Sequence, residues 1–132
     1  MIRSAFAVLA GYGFLAVATA AKYFAIRRFA PGVLPAAGED VFPNVGSLLA
    51  MLGSDVGLMI ASGYLTAVVA ERSPIAHAIV LGAAMVVLGL VWVFVFWGWL
   101  PVWYQVVLVS IAIPAAATGG SLRLQRRAES GR

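Results

Sequence analysis

The chain has 132 residues, of which 63% are hydrophobic and 11% charged, with a mean hydropathy of +0.99. A soluble domain carries roughly 25% charged residues, so too little polar surface exists to cover a water-soluble globule, and intrinsic disorder is excluded by the same imbalance. The net charge is +4, and the absence of cysteine removes disulfides, thiolate metal sites and thiol catalysis.

Residues 4–21 carry no charge, and Lys22 stands shortly before Arg27 and Arg28. A membrane crossing needs about 20 mostly apolar residues, which predicts a first span over 4–26. Arg3, an apolar core over 6–17 and the small residues Ala18, Thr19 and Ala20 follow the order of a signal peptide. The apolar stretch runs on past that candidate cleavage site, so the expectation is a retained span. Residues 27–46 hold Pro31, Pro35 and Pro43 with Glu39 and Asp40, the composition of a loop with room for one helical turn.

A second span is predicted over 47–70, interrupted only by Asp55. Residues 73–122 then contain no Asp, Glu, Lys or Arg, too long a run for one crossing and suited to two. The motif Trp97-Gly98-Trp99-Leu100-Pro101 marks the turn, and Ser73-Pro74 marks an N-cap followed by proline at the first helical position. The third and fourth spans are therefore expected over 74–97 and 102–122. Gly119-Gly120 reads as the stop of the last helix, and Pro114 as a kink within it. The predicted fold is all-α: a four-helix antiparallel transmembrane bundle over 1–122 and a basic tail over 123–132.

An even number of crossings puts both termini and residues 71–73 on one side, together with six of the nine basic residues. The positive-inside rule assigns that side to the cytoplasm. Trp92, Trp97, Trp99, Trp103 and Tyr104 crowd the opposite end, as interfacial aromatic rings do.

Asp55 is the residue that hydrophobic patterning does not explain. It falls about 5 Å from the bilayer centre at 1.5 Å rise per residue, where a carboxylate costs on the order of 2.5–3.5 kcal/mol. Lys22 is its natural partner, because side chains lean toward their helix N-terminus and antiparallel neighbours lean toward each other in depth. A structural ion pair is favoured over a protonated Asp55 bonded to Ser62 or Thr66, and over a transport role. Along the same helix Met51, Asp55, Met59, Ser62 and Thr66 form one stripe. Gly46, Ala50, Gly53, Gly57 and Ala61 form the other, with a G-x-x-x-G spacing at 53 and 57. The first helix answers with Ala7, Gly11, Ala18 and Ala25. Intramolecular packing is the expected use of Gly11, Gly53, Gly57 and Ala61, and self-association is the second.

No catalytic constellation is found. His77 is the single histidine and lies at the far end of its span from Asp55, which defeats a Ser–His–Asp arrangement. No phosphate-binding glycine loop and no cofactor motif occurs. Arg123, Arg126 and Arg127 read as lipid-headgroup contacts rather than a nucleic-acid surface, since a juxtamembrane position already accounts for their charge. The stretch Gly63-Tyr64-Leu65-Thr66-Ala67-Val68-Val69-Ala70, with Ser73-Pro74 and His77-Ala78, resembles a segment of small four-helix bacterial inner-membrane proteins. That resemblance spans about thirty residues and implies a bacterial inner membrane without implying an activity. The acidic residue of small multidrug transporters has no counterpart in the first span, and the Asn and Arg motifs of fluoride channels are missing. The expected role is a non-enzymatic accessory, scaffold or assembly subunit without cofactor, as a homo-oligomer or within a larger complex. The alternative is a small oligomeric transporter or channel that uses Asp55.

Overall fold

The computed structural model describes residues 2–34, 44–70, 73–95 and 100–130. Four helices occupy them: α1 (Ile2–Phe29), α2 (Val45–Ala70), α3 (Pro74–Val95) and α4 (Val102–Ser130). Each is long and apolar enough to cross a membrane, and no strand is present among the described residues. The chain is an all-α membrane protein built as a four-helix bundle. Among the described residues of the loop after α1, Pro31–Val33 form one helical turn.

Local chemistry sets the helix starts. Asn44 caps α2, its side-chain oxygen accepting from the Ser47 amide at 2.7 Å, so the helix begins two residues before the predicted start. Ser73 has φ 49°, a left-handed turn that reverses the chain before Pro74 opens α3. The Ser73 carbonyl then accepts from the His77 amide at 3.3 Å and lies 3.0 Å from His77 Nδ1. His77 thus serves the first turn of α3. At the start of α4, the Pro101 carbonyl accepts from the amides of Tyr104 and Gln105. The buried Gln105 side chain donates to the Leu100 carbonyl at 2.7 Å.

α1 packs on α2 and α3, α4 packs on α2 and α3, and α2 meets α3 between them. Met59, Leu81, Met85, Ala112 and Ala115 form the centre of the core. The outward faces are apolar, with Phe6, Val17 and Phe24 on α1 and Val87, Val91 and Phe94 on α3 exposed. In a bilayer these side chains meet acyl chains, so their exposure carries no penalty.

Two expectations about glycine are corrected. Gly119-Gly120 does not stop α4, which continues to Ser130 and includes most of the expected tail. Both glycines are buried: a Cβ at Gly119 would overlap the Ile60 carbonyl oxygen and lie 2.6 Å from the Tyr64 amide nitrogen, and one at Gly120 would lie 2.9 Å from Ala78 Cβ. They serve helix contact, and the helix runs on because neighbours already cover it. Conversely, Gly53 and Gly57 are exposed, and a Cβ at either would meet nothing within 4 Å. Ala61 beside them is half-buried. The α2 glycine that meets a neighbouring helix is Gly63 instead, where a Cβ would overlap the Ala116 carbonyl oxygen of α4. Gly11 packs as expected of a small residue, its Cα facing Thr66 and the Ser62 carbonyl of α2.

Gly57→Leu is therefore expected to leave the stability of the detergent-solubilised chain unchanged within about 0.5 kcal/mol, as for surface substitutions generally. A cooperative loss of helicity in that variant, followed by circular dichroism, would show that something of this chain covers the face.

Candidate functional site

The polar centre of the bundle is built by three helices. Lys22 stands on α1, Asp55 on α2 and Tyr104 on α4. α1 and α2 are antiparallel, with Gly11 opposite Ser62 and Thr66 and Lys22 opposite Asp55. The lean of helical side chains toward each N-terminus brings ammonium and carboxylate to one depth. Lys22 Nζ forms an ion pair with Asp55 Oδ1. Both side chains are 13% exposed, so most of each charge is removed from its surroundings.

The second carboxylate oxygen is also engaged. Tyr104 Oη donates to Asp55 Oδ2 at 2.9 Å. Lys22 Nζ additionally donates to Ser54 Oγ at 3.4 Å, and Ser54 Oγ donates to the Met51 carbonyl at 2.7 Å. The Lys22 ammonium lies 5.1 Å from the centroid of the Tyr23 ring, close enough for cation–π attraction. Each oxygen of Asp55 therefore has its own donor, and the opposite charge is in contact. This arrangement offsets much of the cost of holding a carboxylate in the membrane, with a counter-charge on one oxygen and a hydroxyl donor on the other.

Ser62 and Thr66 do not join this centre. Both are fully buried, nearer the other end of α2, and bond to their own helix: Ser62 Oγ to the Met59 carbonyl and Thr66 Oγ1 to the Ser62 carbonyl, each at 2.9 Å. Such back-bonding satisfies hydroxyls in an apolar interior. The stripe that contains Met51, Met59, Ser62 and Thr66 is the core face of α2, and Asp55 sits at its edge.

Tyr104 was expected in the aromatic belt and is instead 2% exposed, its ring 5.8 Å from that of Trp103 at 74°. Trp92 and Trp103 are exposed as belt residues are. Trp97 and Trp99 lie outside the described residues. A signal for Tyr104 existed in its hydroxyl: within a span, a phenol needs a partner. What the sequence does not supply is the register of α4 against α2.

At the other end of the bundle, α4 carries Arg123, Arg126 and Arg127 on helix rather than on an irregular tail. Arg123 is half-buried, and Arg126 and Arg127 are exposed. Comparison with protein-family models, with curated proteins and with solved structures finds no match for this chain.

Proposed function

We propose that this protein is a non-enzymatic accessory or assembly subunit of a bacterial inner membrane, with both termini in the cytoplasm. The observation that carries the reading is the closed state of Asp55. Its two oxygens are taken by Lys22 and Tyr104, and the pair is largely shielded. A carboxylate that loads and releases protons or cations would have to give up these contacts, which come from two other helices of the same chain. The polar centre then locks α1, α2 and α4 together. The uncovered α2 face at Gly53 and Gly57 supports assembly, since small residues allow a neighbouring backbone to approach closely.

The test is association in a bilayer. Proteoliposomes containing donor- and acceptor-labelled copies should show energy transfer that Gly53→Leu/Gly57→Leu removes, unless the partner is a different membrane protein. In the second case, cross-linking in native membranes should give a larger adduct that the same double change removes. Neither effect would refute assembly through this face. The resemblance of the Gly63 to Ala78 region to small bacterial membrane proteins supports the same setting.

Orientation yields its own expected result. Single cysteines at position 72 and in 123–130 should be protected from an impermeant thiol reagent added outside intact cells, and cysteines at 35–43 should be labelled. Labelling of the C-terminal segment from outside would overturn the orientation.

A further inference from the structure

Beyond Gly119 the α2-facing side of α4 changes character. Arg123, Arg126 and Ser130 follow Gly119 at intervals that keep one helical face. With Tyr64 of α2 and Glu129, they line a shallow, largely open groove. The Arg126 guanidinium stands 6.0 Å from the centroid of the Tyr64 ring. Among the described residues, no ion pair within 4.0 Å engages Arg123 or Arg126, although Glu129 lines the same surface.

The apolar surface begins within one turn of these charges. Leu122, exposed, precedes Arg126 by one turn on the same face of α4. Val68, also exposed, follows Tyr64 by one turn on α2. A shallow basic surface bordered by exposed apolar side chains matches a molecule that carries phosphate and acyl chain together. Basic pockets between transmembrane helices take such headgroups.

We infer that this groove binds the phosphodiester of an anionic phospholipid headgroup, held by Arg123 and Arg126 over Tyr64. Two guanidiniums offer planar donor forks to the non-bridging phosphate oxygens. Glu129, which shares the lining, disfavours a doubly charged free anion more than a singly charged one and can accept hydrogen bonds from a polyol headgroup such as glycerol. That combination selects a singly charged phosphodiester attached to a hydroxylated headgroup. The site goes beyond the assembly role and does not depend on it.

Native mass spectrometry of the full chain in mixed micelles tests the site, with dioleoylphosphatidylglycerol and dioleoylphosphatidylcholine as probes. The expected result is preferential retention of the glycerol lipid. Arg126→Gln should weaken it at least about fivefold, because charge-assisted hydrogen bonds to the phosphate are lost. Arg123→Gln/Arg126→Gln should erase the preference. Arg127→Gln removes the same charge from a residue that does not line the groove and should change retention less than twofold. Arg126→Lys keeps the charge without the planar fork and should fall between wild type and Arg126→Gln, which separates recognition from misfolding. Equal losses in Arg126→Gln and Arg127→Gln would overturn the site in favour of diffuse attraction. Displacement of the lipid by millimolar inorganic phosphate would overturn it in favour of a free-anion site.

Discussion

Gly119→Ala is expected to dismantle the α2–α4 interface, although alanine is the better helix former by about 1 kcal/mol. The added methyl would overlap the Ile60 carbonyl oxygen and approach the Tyr64 amide nitrogen to 2.6 Å. Both obstacles are backbone atoms of α2, so no rotamer change relieves the clash. Overpacking of a tight core costs about 1–3 kcal/mol and occasionally more, and a clash against helix backbone belongs at the upper end. Gly63→Ala meets the same interface from the other side, with the Ala116 carbonyl oxygen in its path. The two losses should not add, because either substitution alone forces the helices apart. Gly53→Ala and Gly57→Ala add the same methyl to the same helix where nothing lies within 4 Å. Thermal unfolding of the four variants in one detergent, followed by circular dichroism, makes the comparison. Equal midpoints for Gly119→Ala and Gly57→Ala would mean that the helices do not meet at Gly63 and Gly119.

The same glycines mark how far the sequence can be read. Span number and placement are legible, because a fifty-residue run without charge fits only two crossings and turn residues divide it. The Lys22–Asp55 pairing is legible for a related reason: a carboxylate within an apolar run demands a partner, and antiparallel geometry allows one at the right depth. Small-residue spacing is different. It shows which helix faces permit close approach, and α2 has two such faces, at Gly53 and Gly57 and at Gly63. Which one is used depends on α4, whose own small residues Ala112, Ala115, Ala116 and Gly119 form a matching surface. Gly119-Gly120 illustrates the same ambiguity. A glycine pair before arginines has the local signature of a helix end, yet contact with α2 and α3 supplies a reason for glycine inside a helix. Tyr104 is hidden because α2 and α4 are parallel and distant in sequence, as the pairs 55 with 104 and 63 with 116 indicate. No loop fixes their register, so composition alone assigns the phenol to the interfacial belt.

Asp55→Asn is expected to destabilise the bundle by about 3 kcal/mol, because removing one partner leaves the other charge buried and uncompensated. Here that charge is the Lys22 ammonium, 13% exposed, which keeps neutral acceptors in Ser54 Oγ and the Asn amide oxygen but has no counter-charge. Lys22→Met alone leaves the carboxylate with Tyr104 as its donor, so it should cost less than Asp55→Asn. The double variant removes both charges from a low-dielectric site and should recover at least about 1 kcal/mol relative to the sum of the single changes. Tyr104→Phe removes one hydrogen bond to a charged group and should cost about 1.5–3 kcal/mol. That loss should shrink in the Asp55→Asn background, where the hydrogen bond is to a neutral amide oxygen, which identifies the phenol as part of the same centre. The competing role for Asp55, proton or cation transport, makes the opposite pair of demands. Folding would survive Asp55→Asn, and a pH gradient across proteoliposomes would dissipate faster with wild type than with the variant. The structural role predicts coupling among the three positions and equal, background-level dissipation for wild type and Asp55→Asn. Additive stability changes together with Asp55-dependent flux would establish Asp55 as a transport site and remove the argument for an assembly subunit.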